Sequence, residues 1–138
     1  MSLYLAVFSG ETEIDGVEVG RYSDFDAFRT TVINRLEGGQ PGSRFPNLIL
    51  HSDCDGSWSV EEAAELDAEL QDIKSELSKL RPISFEPGTW QAALAKSLGL
   101  VPRTLEECFF DVDGEPLIDR LRALASISRT EGLPILFQ

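Results

Sequence analysis

Residues suited to thiol or soft-metal chemistry are scarce in this 138-residue chain, which holds one histidine, His51, and two cysteines, Cys54 and Cys108. Two cysteines are too few for a disulfide framework, and no Cys-x-x-Cys or paired-histidine spacing exists to build a zinc site. No second histidine is present to serve Cys54 as a base. Long apolar runs are missing too, since no stretch approaches the roughly 18 consecutive residues of a membrane span. The opening "MSLYLAVFSGETE" has no basic region ahead of its short apolar run, so it reads as a first strand and not as a signal peptide. Without an export signal, both thiols are expected to be reduced in a cytoplasmic protein. Basic side chains are the remaining shortage. Twelve Lys and Arg against 24 Asp and Glu leave a net charge of −12, which repels nucleic acid and anionic membrane.

The acidic excess is concentrated. Residues 53–76 hold Asp53, Asp55, Glu61, Glu62, Glu65, Asp67, Glu69, Asp72 and Glu76 against Lys74 alone, and so carry −8 of the −12. Glu106, Glu107, Asp111, Asp113 and Glu115 form a second run with no base inside it. Such runs serve either as a solvated face or as a patch that attracts a basic partner from a distance.

Hydrophobic residues make up 42% of the chain, enough to fill the core of one domain of this length. Residues 3–8 read as a strand, and "TEIDGVEV" as a hairpin turning at Asp15-Gly16. In "SDFDAFRTTVINRLEGG", Ser23 is the expected helix cap, Phe25, Phe28, Val32 and Leu36 form one apolar stripe, and Gly38 ends the helix. Residues 48–50 read as a buried central strand. Ser59 and Glu62 then fit a capping box, and Val60, Ala63, Leu66, Leu70, Ile73, Leu77 and Leu80 follow helical spacing up to Pro82. On this reading Leu70, Ile73 and Leu77 face the core, and Glu65, Glu69, Asp72 and Glu76 face outward. "GTWQAALAKSLGL" predicts a third helix closed by Gly99, and "PLIDRLRALASISRTEG" a fourth from Pro116 to Gly132. The apolar ending "LPILFQ" predicts a docked C-terminal strand. The expected fold is therefore α+β. One domain carries a mixed sheet of about four strands (an N-terminal hairpin, a central strand and a C-terminal strand) packed with about four helices.

The sequence Asp-x-Asp-Gly occurs twice, in "SDCDGSW" and "FFDVDGEPL". As a calcium loop, the first copy offers Asp53, Asp55 and Glu62 at suitable places, but His51 stands where the first carboxylate belongs and Pro46 interrupts the incoming helix. The second copy ends on Arg120 where a bidentate carboxylate is needed. "FFDVDGE" also resembles the nucleophile loop of haloacid dehalogenase-type hydrolases, yet only 24 residues follow Gly114, too few for the strands and the Lys which that fold requires. No catalytic set is complete, and no metal or cofactor site is expected. The turn reading accounts for both copies. In it Asp53 and Asp55 bond the backbone, Gly56 and Gly114 supply the reversal, and Trp58 covers the junction. His51 is then a hydrogen-bonded structural residue.

Together, "EIDGVEVGRYSDF", "GSRFPNLILHSDCDGSWS", "AKSLGLVP", "FFDVDGEPLIDRL" and "PILFQ" resemble a family of small bacterial immunity proteins from polymorphic toxin systems. The resemblance implies a cytosolic protein that binds and blocks a cognate toxin domain and has no chemistry of its own. Many such toxins are nucleases with basic clefts, which an acidic inhibitor can occupy. The partner-binding candidates are Glu61, Glu65, Glu69 and Asp72 on the long helix, with Asp111, Asp113 and Glu115 in the second turn. Both groups sit at strand-to-helix junctions and are expected along one edge of the sheet.

Overall fold

A computed structural model describes residues 2–52 and 55–138. In chain order these form β1 (Ser2–Ser9), β2 (Thr12–Arg21), α1 (Tyr22–Leu36), α2 (Pro46–Ile49), β3 (Ser57–Trp58), α3 (Val60–Leu77), α4 (Trp90–Leu98), a 3₁₀ turn (Glu106–Cys108), α5 (Leu117–Glu131) and β4 (Ile135–Phe137). The α+β class is as expected.

The sheet runs β2-β1-β4-β3, so the C-terminal strand is docked between β1 and β3. All three pairings are antiparallel, where a mixed sheet was expected. The short return after α5 brings β4 back against β1, with Leu5 paired to Phe137 on one side and to Val17 on the other. Alternation sends Leu3, Leu5 and Val7 into the core with Val17 and Val19. Tyr4, opposite Glu18, and Phe8, opposite Glu13, point to the other face.

The hairpin turns earlier than its sequence suggests. The chain reverses at Gly10-Glu11, and Asp15-Gly16 lies inside β2, facing Val7 and Ala6. Both residues have tertiary work there. The Asp15 carboxylate pairs with Arg120 of α5 at 3.3 Å, and a Cβ on Gly16 would collide with the Tyr4 phenol.

Helices form where the periodicity places them. Phe25, Phe28 and Val32 of α1 are buried, although its first turn is closed by Asp24, which accepts the Arg21 N–H at 2.7 Å, and not by Ser23. In α3 the capping box is formed: Ser59 Oγ accepts from the Glu62 N–H at 3.1 Å, and Glu62 accepts from the Ser59 N–H at 3.0 Å. Helices α3 and α5 lie antiparallel, joined by Asp67 with Arg122 at 2.8 Å and by Lys74 with Asp119 at 2.5 Å.

The expected central strand at residues 48–50 is instead the end of α2. Pro46 supplies the fixed φ of a first helical position, and groups from α1 and α3 satisfy the ends of this single turn. Leu48 and Phe45 are thereby buried without joining the sheet.

Two outcomes follow. Ile73 is 0% exposed among Leu66, Leu70 and Leu77, so Ile73→Ala should lower unfolding free energy by about 2–5 kcal/mol in denaturant melts. Burial, then a hydrogen bond with Glu13 and the charges of Glu13, Asp15 and Glu18, push the Tyr4 phenol up to about 12 from its ordinary 10.0. The fold therefore favours the neutral phenol. That stabilisation is complete below pH 10 and should fade as pH rises from 10 toward 12, in step with late phenolate absorbance that Tyr4→Phe removes.

Candidate functional site

At the first junction, Asp53 and Cys54 lie outside the described residues. Asp55 is exposed, and Gly56 has φ +84°, a conformation that disfavours side chains, while its carbonyl accepts the Phe137 N–H at 3.1 Å. Trp58 is fully buried and donates its indole N–H to the Asn47 carbonyl at 2.9 Å. His51 is held between two carbonyls, with Nδ1 2.7 Å from the Ser52 oxygen and Nε2 2.9 Å from the Ser57 oxygen. Its ring stacks on Phe137 at 4.3 Å. With both nitrogens against backbone oxygens, His51 is a brace between α2 and β3.

The second junction is a closed loop. Asp111 is 2% exposed, and its Oδ1 accepts from the Asp113 N–H at 2.9 Å and the Glu115 N–H at 3.0 Å. Its backbone N–H reaches the Glu115 carbonyl at 2.9 Å, and Gly114 closes the turn at φ +83°. Arg120 lies 3.7 Å from Oδ2. Asp111 was expected at a partner surface; its carboxylate is instead consumed by the loop's own amides, and only Asp113 and Glu115 remain exposed. The loop hangs from β2 through the Val112 N–H to the Glu18 carbonyl at 3.1 Å.

On α3 the acidic residues divide. Glu61, Glu65 and Asp72 are exposed. Glu69, expected to face outward, is 9% exposed and binds the first turn of α2. Its Oε2 accepts from the Asn47 N–H at 3.1 Å and side-chain amide at 2.8 Å, and its Oε1 from the Leu48 N–H at 3.0 Å. Its spacing held the signal, because three residues after Leu66 and four before Ile73 is within the apolar stripe. Glu76, also expected to face outward, pairs with Arg44 at 2.6 Å, which holds its carboxyl below the usual range.

One further buried acid had no sequence signature. Glu37, at the end of α1, accepts the N–H groups of Gly42 at 3.1 Å and of Arg44 and Phe45 at 2.9 Å. Nor do the two junctions share an edge. The 111–115 loop joins β2, α3 leaves from β3, and these strands are at opposite ends of the sheet.

Chemically, the described residues offer charge and shape. No three His, Cys, Asp or Glu side chains among them come together as a metal-binding group. Cys108 is buried, and that burial pushes its thiol above the ordinary value. No helix among the described residues is long and apolar enough to cross a membrane.

Among known families, the model described as Immunity protein 70 matches residues 3–137, nearly the whole chain. No curated protein and no solved structure matches it.

The division of acids is testable by stability alone. Glu69→Ala leaves buried amides of α2 without an acceptor and should cost about 1–3 kcal/mol. Glu61→Ala, at an exposed site, should stay within about 0.5 kcal/mol of the parent in the same melts.

Proposed function

The chain belongs to the immunity protein 70 family, and from that membership we propose that it binds a cognate toxin domain of a polymorphic toxin system in the cytoplasm and neutralises it by occupying its working surface. The family match over residues 3–137 is the observation that carries this reading. The charge supports the manner of binding. A net −12 with Glu61, Glu65, Asp72, Asp113 and Glu115 exposed gives a field that draws in a basic protein surface and repels nucleic acid. A nuclease, whose cleft must attract phosphate, is the toxin class this field suits best.

The competing reading, a small metal-dependent hydrolase or calcium module built on the Asp-x-Asp-Gly turns, has less behind it. Asp111 spends its carboxylate on backbone amides beside Arg120, and both ring nitrogens of His51 face carbonyls. Those are the commitments of turn-forming and bracing residues.

Co-expression with the toxin, followed by binding kinetics over a salt series, tests the proposal. Reversing Glu61 and Asp72 to Lys should slow association several-fold at low salt and flatten its salt dependence, with the melting temperature kept. A double variant that associates at the parental rate at low salt would reduce the outer face of α3 to a solvated surface.

A further inference from the structure

Helix α4 carries an apolar stripe that the fold buries only in part. Trp90, Leu94 and Leu98 recur every four residues, the pattern of a helix laid on a core. Yet Ala95 is the only residue of α4 that is buried, Leu98 is 52% exposed, and Val101 just beyond it is 80% exposed. The helix is tethered at its start by polar contacts, Trp90 Nε1 to Asp24 Oδ2 at 2.8 Å and Gln91 Nε2 to Asp24 Oδ1 at 2.7 Å. Further along, Leu94, Leu98 and Leu100 converge over Gly114, where a Cβ would come within 2.5 Å of Leu98 Cδ1. Glycine there lets the leucine ridge sit directly on the acidic loop.

The ridge has a cleft on either side. One, of about 350 Å³, is floored by Leu100, Val101, Phe109 and Phe110, with Glu106 and Glu107 in its wall. The other, of about 530 Å³, is lined by Trp90, Ala93, Leu94 and Val112, with Arg21 as its charged residue. Exposed Asp113 and Glu115 flank the ridge on the 111–115 loop. The bases nearby are Lys74, held by Asp119 at 2.5 Å and Glu106 at 3.2 Å, Arg103, 3.7 Å from Glu107, and the exposed Lys96 and Arg21 on the side of the second cleft. An apolar centre with two concavities, the first bordered by Glu106, Glu107 and Asp119 with no base in its lining, is the anatomy of a protein-binding site whose acidic side lies toward Val101.

We propose that the face formed by α4, residues 98–101 and the 111–115 loop is the docking surface, and that its occupant is a basic protein surface. The partner seats aliphatic or aromatic side chains against Leu98 and Val101 and places Lys or Arg over Asp113 and Glu115. This rests on the toxin-inhibitor reading, with the toxin domain as that partner. Charge disfavours a second copy of the chain, since two molecules of −12 would repel on approach. The outer face of α3 then steers the approach, and the α4 face makes the contact.

The test uses the 138-residue chain and, as its probe, an inactivated toxin domain against which the parent protects in co-expression. Leu98→Ser with Val101→Ser should weaken binding at least tenfold, mainly through faster dissociation, and Val101→Ser alone, at the more exposed position, should weaken it in the same way with an unchanged melting temperature. Asp113→Lys with Glu115→Lys should slow association at low salt, and the difference should vanish at high salt. Glu61→Lys with Asp72→Lys should leave the dissociation rate as it is. If the parent binds and the α4-face variants dissociate and associate like it, the surface is wrong while the toxin reading stands. If the parent protects against no such domain and binds none, the toxin reading falls first. A parent that is dimeric in sedimentation, and made monomeric by the Leu98 and Val101 changes, would overturn the basic-partner assignment in favour of self-association.

Discussion

A four-residue helix cannot stand on its own hydrogen bonds, and in this protein the ends of α2 are held by charges from two other helices. Glu37, at the end of α1, receives three amides of the incoming loop, and Glu69 of α3 receives two at the helix start. At the other end Arg29 of α1 donates to the Ile49 carbonyl at 3.4 Å and to the His51 carbonyl at 2.7 Å. Carboxylates at the N-terminus and a guanidinium at the C-terminus also match the helix dipole. Much depends on this clamp. It buries Phe45 and Leu48, presents the Asn47 carbonyl to Trp58, and sets His51 against Phe137, and so it positions β3 on the edge of the sheet.

The same clamp explains what could be read from the sequence. Elements whose determinants are local were legible: the α3 stripe and its Ser59–Glu62 box, Gly99 and Gly132 after α4 and α5, and the apolar C-terminal strand. Residues 48–50 were not, because Leu48-Ile49-Leu50 has the composition of a buried strand and the groups that make α2 a helix lie about twenty residues away on either side. Asp15-Gly16 failed for a related reason. A good turn dipeptide was overruled by Arg120 and Tyr4, which reach it from distant parts of the chain.

Charge overstated the exposed acidic surface. Counting acids places the excess at both junctions, but Glu69 and Asp111 are held inside by backbone amides, and Glu76 is bound to Arg44. An acidic residue in an apolar stripe, or at the first place of an Asx turn, is structural more often than its charge suggests. What remains outside is a smaller set spread over two edges of the sheet, and at the β2 edge it lies beside the exposed Leu98 and Val101.

On the proposed function, the protein acts by occupancy and not by chemistry. Titrating a fixed amount of active toxin domain with the purified protein tests this most directly. Toxin activity should fall in proportion to the protein added, without delay, and vanish at a fixed molar ratio. Inactivation that proceeds with time at far less than that ratio, or full toxin activity in the presence of excess protein, would contradict it.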